Sequence, residues 1–266
     1  MRVCLNGKLM DDAEAHIAPG DRGLLLGDGI FETIAVRKGQ GKRLHAHLER
    51  LRRDGHAIGL DVPWPDTTLN ALIERVAQEN NLDDAVVRLT VTRGAGPRGL
   101  LPPATPNPTL LITAAPMPDL STPISVVVST ITRRNEHSPL SFIKSTNYLD
   151  NVLARKDAAE LGADDAVLLN TQERVAETTI ANIFALIDGA IITPPVEEGA
   201  LPGVMRADVL KLARGEEKPI TVEMLKGASE VFTSNALGLR SVIAIDGVAV
   251  SDGEPGLITQ MLAARL

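Results

Sequence analysis

Apolar and polar residues along this chain follow two periods, one near two residues and one between three and four. Runs that alternate, or that are apolar and rich in β-branched side chains, predict strands. Three such runs are VVRLTVTRG (86–94), TLLITAA (109–115) and ISVVVSTIT (124–132). In the segment 43–59, Leu44, Leu48 and Leu51 recur at helical spacing and predict a helix. The pattern therefore mixes the two kinds of element.

Asn-Gly and Asp-Gly pairs between apolar runs predict hairpins, because both residue types accept the positive φ of tight turns. These pairs lie at 6–7, 188–189 and 246–247. Further strands are predicted at 29–39, 165–170, 183–194, 229–235 and 241–250, and further helices at 149–162 and 204–215. Hairpins interrupted by a few helices favour an α+β fold over a regularly alternating βαβ chain.

A proline-bearing stretch, AAPMPDLSTP (114–123), separates two β-rich runs and predicts a domain boundary. We expect an N-terminal α+β domain at 1–115, a linker at 116–123 and a C-terminal α+β domain at 124–266. The C-terminal domain would then contain Lys144, the residue that carries most of the functional argument below.

Composition narrows the class of protein. Of 266 residues 44% are hydrophobic, yet no apolar stretch approaches the ~18 residues of a membrane span. The N-terminus lacks the apolar core of a signal peptide and Cys4 is the only cysteine, so we expect a reducing cytoplasm. A net charge of -7 argues against nucleic acid, whereas basic clusters at 42–53 and 132–137 suit a small anionic substrate. The histidines lack partners at ligand spacing, so no metal site is expected.

A lysine and a glutamate stand out as candidate chemistry. Lys144 lies between a β-favouring run and a helix in SFIKSTNYLDNVLARKDA (141–158), and Glu177 follows in RVAETTIANIFALIDG (174–189). An amine forms a Schiff base with an aldehyde, and a carboxylate keeps a pyridine nitrogen protonated, which is what pyridoxal phosphate needs. Each residue alone is equally consistent with a solvated surface charge.

Three further segments have groups that bind phosphate esters. A Pro-Gly pair opens the predicted helix at 204–215, so the amides of Val204 and Met205 point at whatever precedes it, although ordinary helices also begin this way. Arg50 is a candidate phosphate clamp or else a solvated arginine or a helical ion-pair partner. The polar cluster 233–235 ends an apolar strand, where it would bind a ligand or face solvent.

In this order the segments resemble the fold-type IV pyridoxal-phosphate enzymes, the class IV aminotransferase superfamily. The resemblance runs over nearly the whole chain and rests on four segments. They are LLLGDGIFETIAV (24–36), HLERL (47–51), IKSTNYLDNVLA (143–154) and VAETTIANIFALIDGAIITPPVEEGALPGVMR (175–206). It implies two α+β domains with the cofactor in the cleft between them, and a homodimer whose partner subunit contributes to the pocket rim.

The resemblance also implies a role for each candidate residue. Lys144 would be the Schiff-base lysine and the base that shuttles protons. Glu177 would pair with the pyridine nitrogen and Tyr148, otherwise a core or surface tyrosine, with the ring hydroxyl. The implied phosphate ligands are Arg50, Val204, Met205, Ser234 and Asn235.

Three activities share this superfamily's fold: branched-chain transamination, D-amino-acid transamination and 4-amino-4-deoxychorismate lysis. In RGAGPRGLL (93–101) the Arg-x-His of D-amino-acid transaminases is missing, and a single tyrosine hardly builds a branched-chain pocket. RGAGPRG, TSNALGLRSV (233–242) and Thr33 resemble the lyases. We therefore expect a lyase that releases pyruvate and gives 4-aminobenzoate for folate biosynthesis, with a D- or branched-chain aminotransferase using 2-oxoglutarate as the alternative.

In the lyase interpretation Thr33 helps to deliver a proton to the departing group. Arg98 and the basic residues at 133–134 are candidates for binding the substrate carboxylates. A third interpretation, a non-catalytic protein that binds pyridoxal phosphate, is disfavoured because the lysine, the carboxylate and Arg50 are all present.

Overall fold

The computed structural model describes all 266 residues and divides into two compact units. Unit 1 consists of Met1–Pro118 together with Ile143–Asn147, and unit 2 of Asp119–Phe142 together with Tyr148–Leu266. Each unit combines one sheet with several helices, so the predicted α+β class is confirmed. The domain limits proposed from the sequence stay a prediction. By its backbone contacts the short segment around Lys144 belongs to unit 1, although it follows the proline-bearing stretch in the chain.

Unit 1 is built on a six-stranded antiparallel sheet in the order β2-β1-β6-β5-β3-β4. Its strands are β1 (Arg2–Leu5), β2 (Lys8–Asp11), β3 (Gly29–Arg37), β4 (Gln40–Gly41), β5 (Ala85–Thr92) and β6 (Thr109–Pro116). Its helices are α1 (Arg22–Leu26), α2 (Leu44–Ala57) and α3 (Asp66–Glu79), and Asp12–Glu14 forms a 3-10 turn. The hairpin predicted at Asn6-Gly7 is present, with φ of 51° and 83° at the two residues.

One face of this sheet forms the core of unit 1 with α2 and α3. Buried residues of the strands, such as Ile34 and Leu89, pack against leucines of α2 and against Leu69 and Ile73 of α3. Since side chains alternate across a strand, the residues between Ile30 and Ile34 divide between two faces. Glu32 shares the core-facing side of β3, whereas Phe31 and Thr33 share the other side.

Unit 2 is built on a nine-stranded sheet in the order β12-β11-β10-β13-β14-β7-β8-β9, with β15 paired to β14. Its strands are β7 (Ile124–Val128), β8 (Asp165–Leu169), β9 (Val175–Thr178), β10 (Asn182–Ile187), β11 (Ala190–Thr193), β12 (Glu216–Glu217), β13 (Glu230–Asn235), β14 (Gly238–Ile245) and β15 (Val248–Ala249). Its helices are α4 (Leu149–Glu160), α5 (Val204–Ala213), α6 (Val222–Lys226) and α7 (Leu257–Ala263). Two 3-10 turns lie at Pro139–Phe142 and Val196–Glu198.

Two of the hairpins of unit 2 form at the predicted Asp-Gly pairs. Asp188 and Asp246 adopt φ near 50°, and each is followed by a glycine with positive φ, which reverses the chain between β10 and β11 and between β14 and β15. Apolar strand residues such as Val167, Ile183 and Val231 form the core on one side of the sheet. The structure contains no helix long and apolar enough to cross a bilayer.

Candidate active site

Lys144 lies in a short extended segment that pairs with the start of β3 in unit 1. The amide of Phe31 donates to the carbonyl oxygen of Lys144 at 2.8 Å, and the amide of Thr146 donates to the carbonyl oxygen of Gly29 at 2.9 Å. The Thr146 hydroxyl also donates to the carbonyl of Gly27 at 2.8 Å. The glycines on either side of Asp28 therefore bind the lysine segment through their backbone.

The amine of Lys144 and the guanidinium of Arg88 contact the same aromatic ring. Lys144 Nζ lies 4.4 Å from the ring centroid of Phe31, and Arg88 Cζ lies 3.6 Å from it. Arg88 is exposed, and it pairs across β5 and β3 with Thr33, which is half-buried on the same face as Phe31. Phe31 thus holds two cationic groups beside the proposed catalytic threonine.

Arg50 is buried in an ion pair with a residue of β3. Its Nε donates to Glu32 Oε1 and its Nη2 to Glu32 Oε2, both at 2.7 Å. His47 Nδ1 lies 2.8 Å from Glu32 Oε2. Arg50 is only 6% exposed and its partner is on another element, so it is neither a solvated arginine nor a pair along its own helix. Its phosphate role stays a proposal.

The Glu32 carboxylate is charged in spite of complete burial. Burial alone raises its pKa, but the positive charge and hydrogen bonds of Arg50, together with the hydrogen bond from His47, lower the pKa from 4.5 to about 2. The pair therefore persists as two charges at neutral pH.

A second buried carboxylate, Asp54, lies one turn after Arg50 on α2. Its Oδ2 accepts a hydrogen bond from the backbone amide of Lys144 at 2.7 Å, and its Oδ1 accepts one from Arg53 Nη2 at 2.7 Å. Burial raises the pKa of Asp54 above its ordinary value, against these hydrogen bonds. Helix α2 therefore contacts both the lysine segment and, through Arg50, the Glu32 carboxylate.

The arginines proposed to bind substrate carboxylates differ in their surroundings. Arg98 is exposed in the connection between β5 and β6 and makes no hydrogen bond or ion pair within the chain. Arg133 instead pairs with Glu173 at 3.0 Å, and Arg134 Nε lies 3.2 Å from Glu177 Oε1. Both residues at 133–134 therefore have carboxylate partners in unit 2, which argues against the role suggested by the sequence.

Glu177 lies on β9 in unit 2 and is 6% exposed. Besides the contact with Arg134, its Oε2 accepts a hydrogen bond from the amide of Leu201 at 3.0 Å. Arg134 also donates to the carbonyl of Gly199 at 3.0 Å, so the same arginine contacts both the carboxylate and the loop before α5. Glu177 therefore has both a guanidinium and a backbone amide as partners within unit 2.

The start of α5 and the end of β13 are connected through Asn182. Asn182 pairs with Ser234 across β10 and β13, and its Nδ2 donates to the carbonyl of Leu201 at 2.8 Å. A Cβ on Gly203 would lie 2.1 Å from Asn182 Oδ1, so the backbone approaches this amide as only glycine allows. Unit 2 thus brings together Glu177, the first residues of α5 and Ser234.

The remaining sequence-predicted residues occupy the ends of these elements. Tyr148 is the half-buried residue that precedes α4. Asn235 ends β13, and its side-chain oxygen accepts a hydrogen bond from the amide of Leu237 at 2.9 Å. Val204 and Met205 are the first two residues of α5, and Met205 is buried.

Two features of unit 2 fit the phosphate of pyridoxal phosphate. The hydroxyl of Ser234 is buried and has no hydrogen-bond partner in the structure. The residue before α5 is Gly203, which has no side chain that could cap the amides of the first turn of the helix. A buried hydroxyl and uncapped amides are donors that phosphate oxygens accept from.

Several contacting residues were not among the candidates identified from the sequence. They are Glu32, His47, Asp54, Arg88 and Asn182. Glu32 sits inside an apolar run, where an isolated charge is unusual, so its position was a usable signal. Arg134 was proposed as a substrate ligand and not as a partner of Glu177. The contacts of Arg134 with Glu177 and of Asn182 with Ser234 had no local signal, because the partners lie tens of residues apart in the chain.

Comparison with known proteins finds similarity to aminotransferases along the whole chain. A family model described as "Amino-transferase class IV" matches residues 29–245. A provisionally named branched-chain-amino-acid aminotransferase of Methanocaldococcus jannaschii is 37% identical over 100% of this chain and 95% of its own length. A D-alanine aminotransferase of Staphylococcus epidermidis is 32% identical over 98% of this chain and 95% of its own length.

Solved structures with the same fold include both kinds of activity named above. The branched-chain aminotransferase of Thermoproteus uzoniensis, crystallised with norvaline, has a TM-score of 0.92 and 30% identity, covering 100% of this chain and 93% of that one. A provisionally named 4-amino-4-deoxychorismate lyase of Legionella pneumophila has a TM-score of 0.86 and 27% identity, covering 95% of this chain and 94% of that one.

Proposed function

Because the chain belongs to the class IV aminotransferase family, whose members depend on pyridoxal phosphate, we propose that it is an aminotransferase that uses amino acids and 2-oxo acids. The observation that carries this proposal is the shared contact of Lys144 and Arg88 with the ring of Phe31. The guanidinium of Arg88, which suits a substrate carboxylate, therefore contacts the same ring as the amine of Lys144, which is proposed to bind the cofactor. Full-length similarity to two aminotransferases at 37% and 32% identity supports it.

The chemistry divides between the cofactor and the chain. Pyridoxal phosphate, when bound, supplies an electron-withdrawing ring that stabilises negative charge at a substrate carbon. Lys144 would hold the cofactor covalently and move the proton at that carbon. Glu177, which contacts Arg134, would pair with the pyridine nitrogen, and Tyr148 would pair with the ring hydroxyl. The proposed phosphate ligands are Arg50, Val204, Met205, Ser234 and Asn235.

Substrate choice is proposed to depend on two arginines. Arg88 offers a planar, permanently charged fork on the same sheet face as Thr33, so it suits the carboxylate of an amino acid or of 2-oxoglutarate. Arg98 lies in an exposed loop and suits a second carboxylate or the rim of the pocket. Small or branched amino acids, in the D or L series, are the substrate class that this arrangement and the named relatives support.

A 4-amino-4-deoxychorismate lyase is the second candidate. RGAGPRG, the Asn-Ala-Leu of 235–237 and Thr33 favour it, as does the similarity to the Legionella protein. In that reaction the Thr33 hydroxyl would deliver a proton to the departing enolpyruvyl group. The full-length relatives at 37% and 32% identity are both named as aminotransferases, so the lyase ranks below transamination.

The two candidates differ in their dependence on a 2-oxo acid. Purified protein is incubated with L-leucine, L-valine or D-alanine plus 2-oxoglutarate, and separately with aminodeoxychorismate alone. We expect glutamate to form in the first set and no 4-aminobenzoate in the second. Formation of 4-aminobenzoate and pyruvate in equal amounts, without glutamate in any amino acid assay, would replace the aminotransferase with the lyase. Lys144→Ala is the inactive control in both sets.

We also propose that the chain acts as a homodimer. Five leucines of unit 1 are exposed, namely Leu24, Leu25, Leu26, Leu100 and Leu101. They belong to one patch because Arg22, at the start of α1, donates to the carbonyls of Gly99 at 2.9 Å and Leu100 at 2.7 Å. Such a contiguous apolar patch is typical of a protein–protein interface.

A further inference from the structure

The backbone of Lys144 is bound on one side by β3. The Phe31 amide donates to its carbonyl oxygen, and an antiparallel bridge joins Ile30 to Ser145. These bonds fix the segment relative to the sheet. A lysine side chain has four rotatable bonds, so the amine reaches a defined point only where the backbone that carries it is held tightly.

A side chain of α2 binds the same residue at its amide. Asp54 Oδ2 accepts the Lys144 N–H at 2.7 Å, and Asp54 is 0% exposed. A buried carboxylate is unfavourable unless hydrogen bonds satisfy it. Both oxygens are in fact satisfied, since Oδ1 accepts from Arg53 Nε at 3.0 Å and Nη2 at 2.7 Å.

Asp54 follows Arg50 by four residues, so the two lie on one face of α2. Glu32 on β3 fixes Arg50. Asp54 accepts the amide of Lys144, and the carbonyl of Lys144 accepts the amide of Phe31, which directly precedes Glu32. The helix thereby connects the proposed phosphate arginine and the lysine through two buried carboxylates in unit 1.

We propose that Asp54 is a positioning residue, which holds the backbone of Lys144 so that its amine is aimed at the cofactor aldehyde. This inference rests on the proposed function, in which Lys144 carries pyridoxal phosphate. A carboxylate in this place has a purpose beyond packing, because an apolar side chain would fill the same volume without the cost of burying a charge.

The test compares Asp54→Ala, Asp54→Asn and Asp21→Asn with the wild type. Asp21 is a matched control, because it is 1% exposed and accepts a backbone amide, that of Gly23, at 2.8 Å, but does not contact the lysine segment. Two quantities are measured in the full chain. They are the rate at which added pyridoxal phosphate attaches covalently to Lys144, followed by absorbance, and the hydrogen exchange of peptides that contain 143–147.

Asp54→Ala is expected to slow attachment by ~10-fold to ~100-fold, the range for loss of a hydrogen bond to a charged group, and to speed exchange of the lysine peptide. Asp54→Asn keeps an oxygen acceptor and is expected to restore both quantities most of the way. Asp21→Asn is expected to change neither, although it lowers the melting temperature.

Two outcomes overturn the inference. In one, Asp54→Ala lowers the melting temperature, but the rate of cofactor attachment and the hydrogen exchange of the lysine peptide are the same as in Asp21→Asn. The role of Asp54 would then be structural only. In the other, Asp54→Asn is as impaired as Asp54→Ala, so that the charge pair with Arg53 matters and the hydrogen bond to Lys144 does not. Failure of the wild type itself to take up pyridoxal phosphate would instead reject the proposed function, whatever the exchange data show.

Discussion

Glu32 and Arg50 form a buried, two-armed ion pair in which both hydrogen bonds measure 2.7 Å. The two parallel bonds fix the plane of the guanidinium, and His47 holds the carboxylate from a third direction. The arginine is therefore oriented by the protein before any ligand binds. A phosphate that meets a preoriented donor loses less entropy on binding than one that must order it.

Removal of Glu32 should destabilise unit 1. Glu32→Ala leaves the Arg50 cation buried without its counter-charge, so the free energy of unfolding in urea is expected to fall by about 3–5 kcal/mol. The control is Asp84→Ala, which breaks an exposed pair with Arg37 at 3.1 Å and should have little effect. Equal losses in the two variants would contradict the structural importance of the buried pair.

Stability should depend on pH through the same carboxylate. The pKa of Glu32 is about 2 in the folded protein against an ordinary 4.5, so the folded state holds the charged form more tightly than the unfolded state does. Its contribution is full above the ordinary pKa and is lost as the pH falls through 4.5 towards 2. Unfolding of the wild type and of Glu32→Gln, measured between neutral pH and about pH 2, should converge at the acid end. A constant difference between them would argue against an ionised Glu32.

Lys144 should be the residue labelled by cofactor reduction. Treatment of the pyridoxal phosphate complex with borohydride, followed by peptide mapping, is expected to place the added mass on the peptide with Lys144. Lys144→Ala should abolish the label, and Lys156→Ala, which removes an exposed lysine of α4, should retain it. Label on any other lysine would remove the basis of the proposed function.

Arg88 should affect the binding of acidic substrates more than the rate of the chemical step. Arg88→Gln removes a cation that stacks on Phe31 beside Lys144, so KM for 2-oxoglutarate is expected to rise ~10-fold to ~100-fold, with a smaller change in kcat. Arg98→Gln tests the second proposed arginine, and Arg37→Gln, on the same strand as Phe31, is the control. A fall in kcat alone would assign Arg88 to the chemistry instead.

The leucine patch of unit 1 should govern assembly. Leu100→Asp with Leu101→Asp places charges on side chains that are 82% and 85% exposed, so the folded chain should tolerate them while a dimer would not. Sedimentation velocity is expected to show a monomer for this variant and a dimer for the wild type. Leu257→Asp, at a 73% exposed position on α7, is the control. A variant that sediments like the wild type would place any interface elsewhere.

Local signals in the sequence predicted most of the fold. The Asn-Gly and Asp-Gly hairpins formed where expected, because their φ angles depend on two residues only. Helix α3 was not predicted, although Leu69, Ile73, Val76 and Ala77 recur with helical spacing and are all buried. That signal was present in the sequence and was not used.

Long-range pairing in the site was not predictable in the same way. Nothing near Arg50 in the chain points to Glu32, because the packing of helix α2 on β3 brings the two together. Nothing near Glu177 points to Arg134, because strand pairing in unit 2 brings these two together. The candidate residues were identified from the resemblance of whole segments to the family. The choice between lyase and aminotransferase depends on a few individual side chains, and the resemblance of whole segments does not decide it.

The assignment of residues 143–147 to unit 1 has a consequence for synthesis of the chain. The backbone of Gly29–Phe31 is hydrogen-bonded to residues 144–146, which are synthesised after the rest of unit 1. A nascent chain released up to residue 118 would therefore expose unpaired peptide groups there, which is the kind of edge that templates aggregation. Translation through residue 147 is what closes it, so a truncated gene product is expected to be prone to precipitation even though it contains most of the sheet.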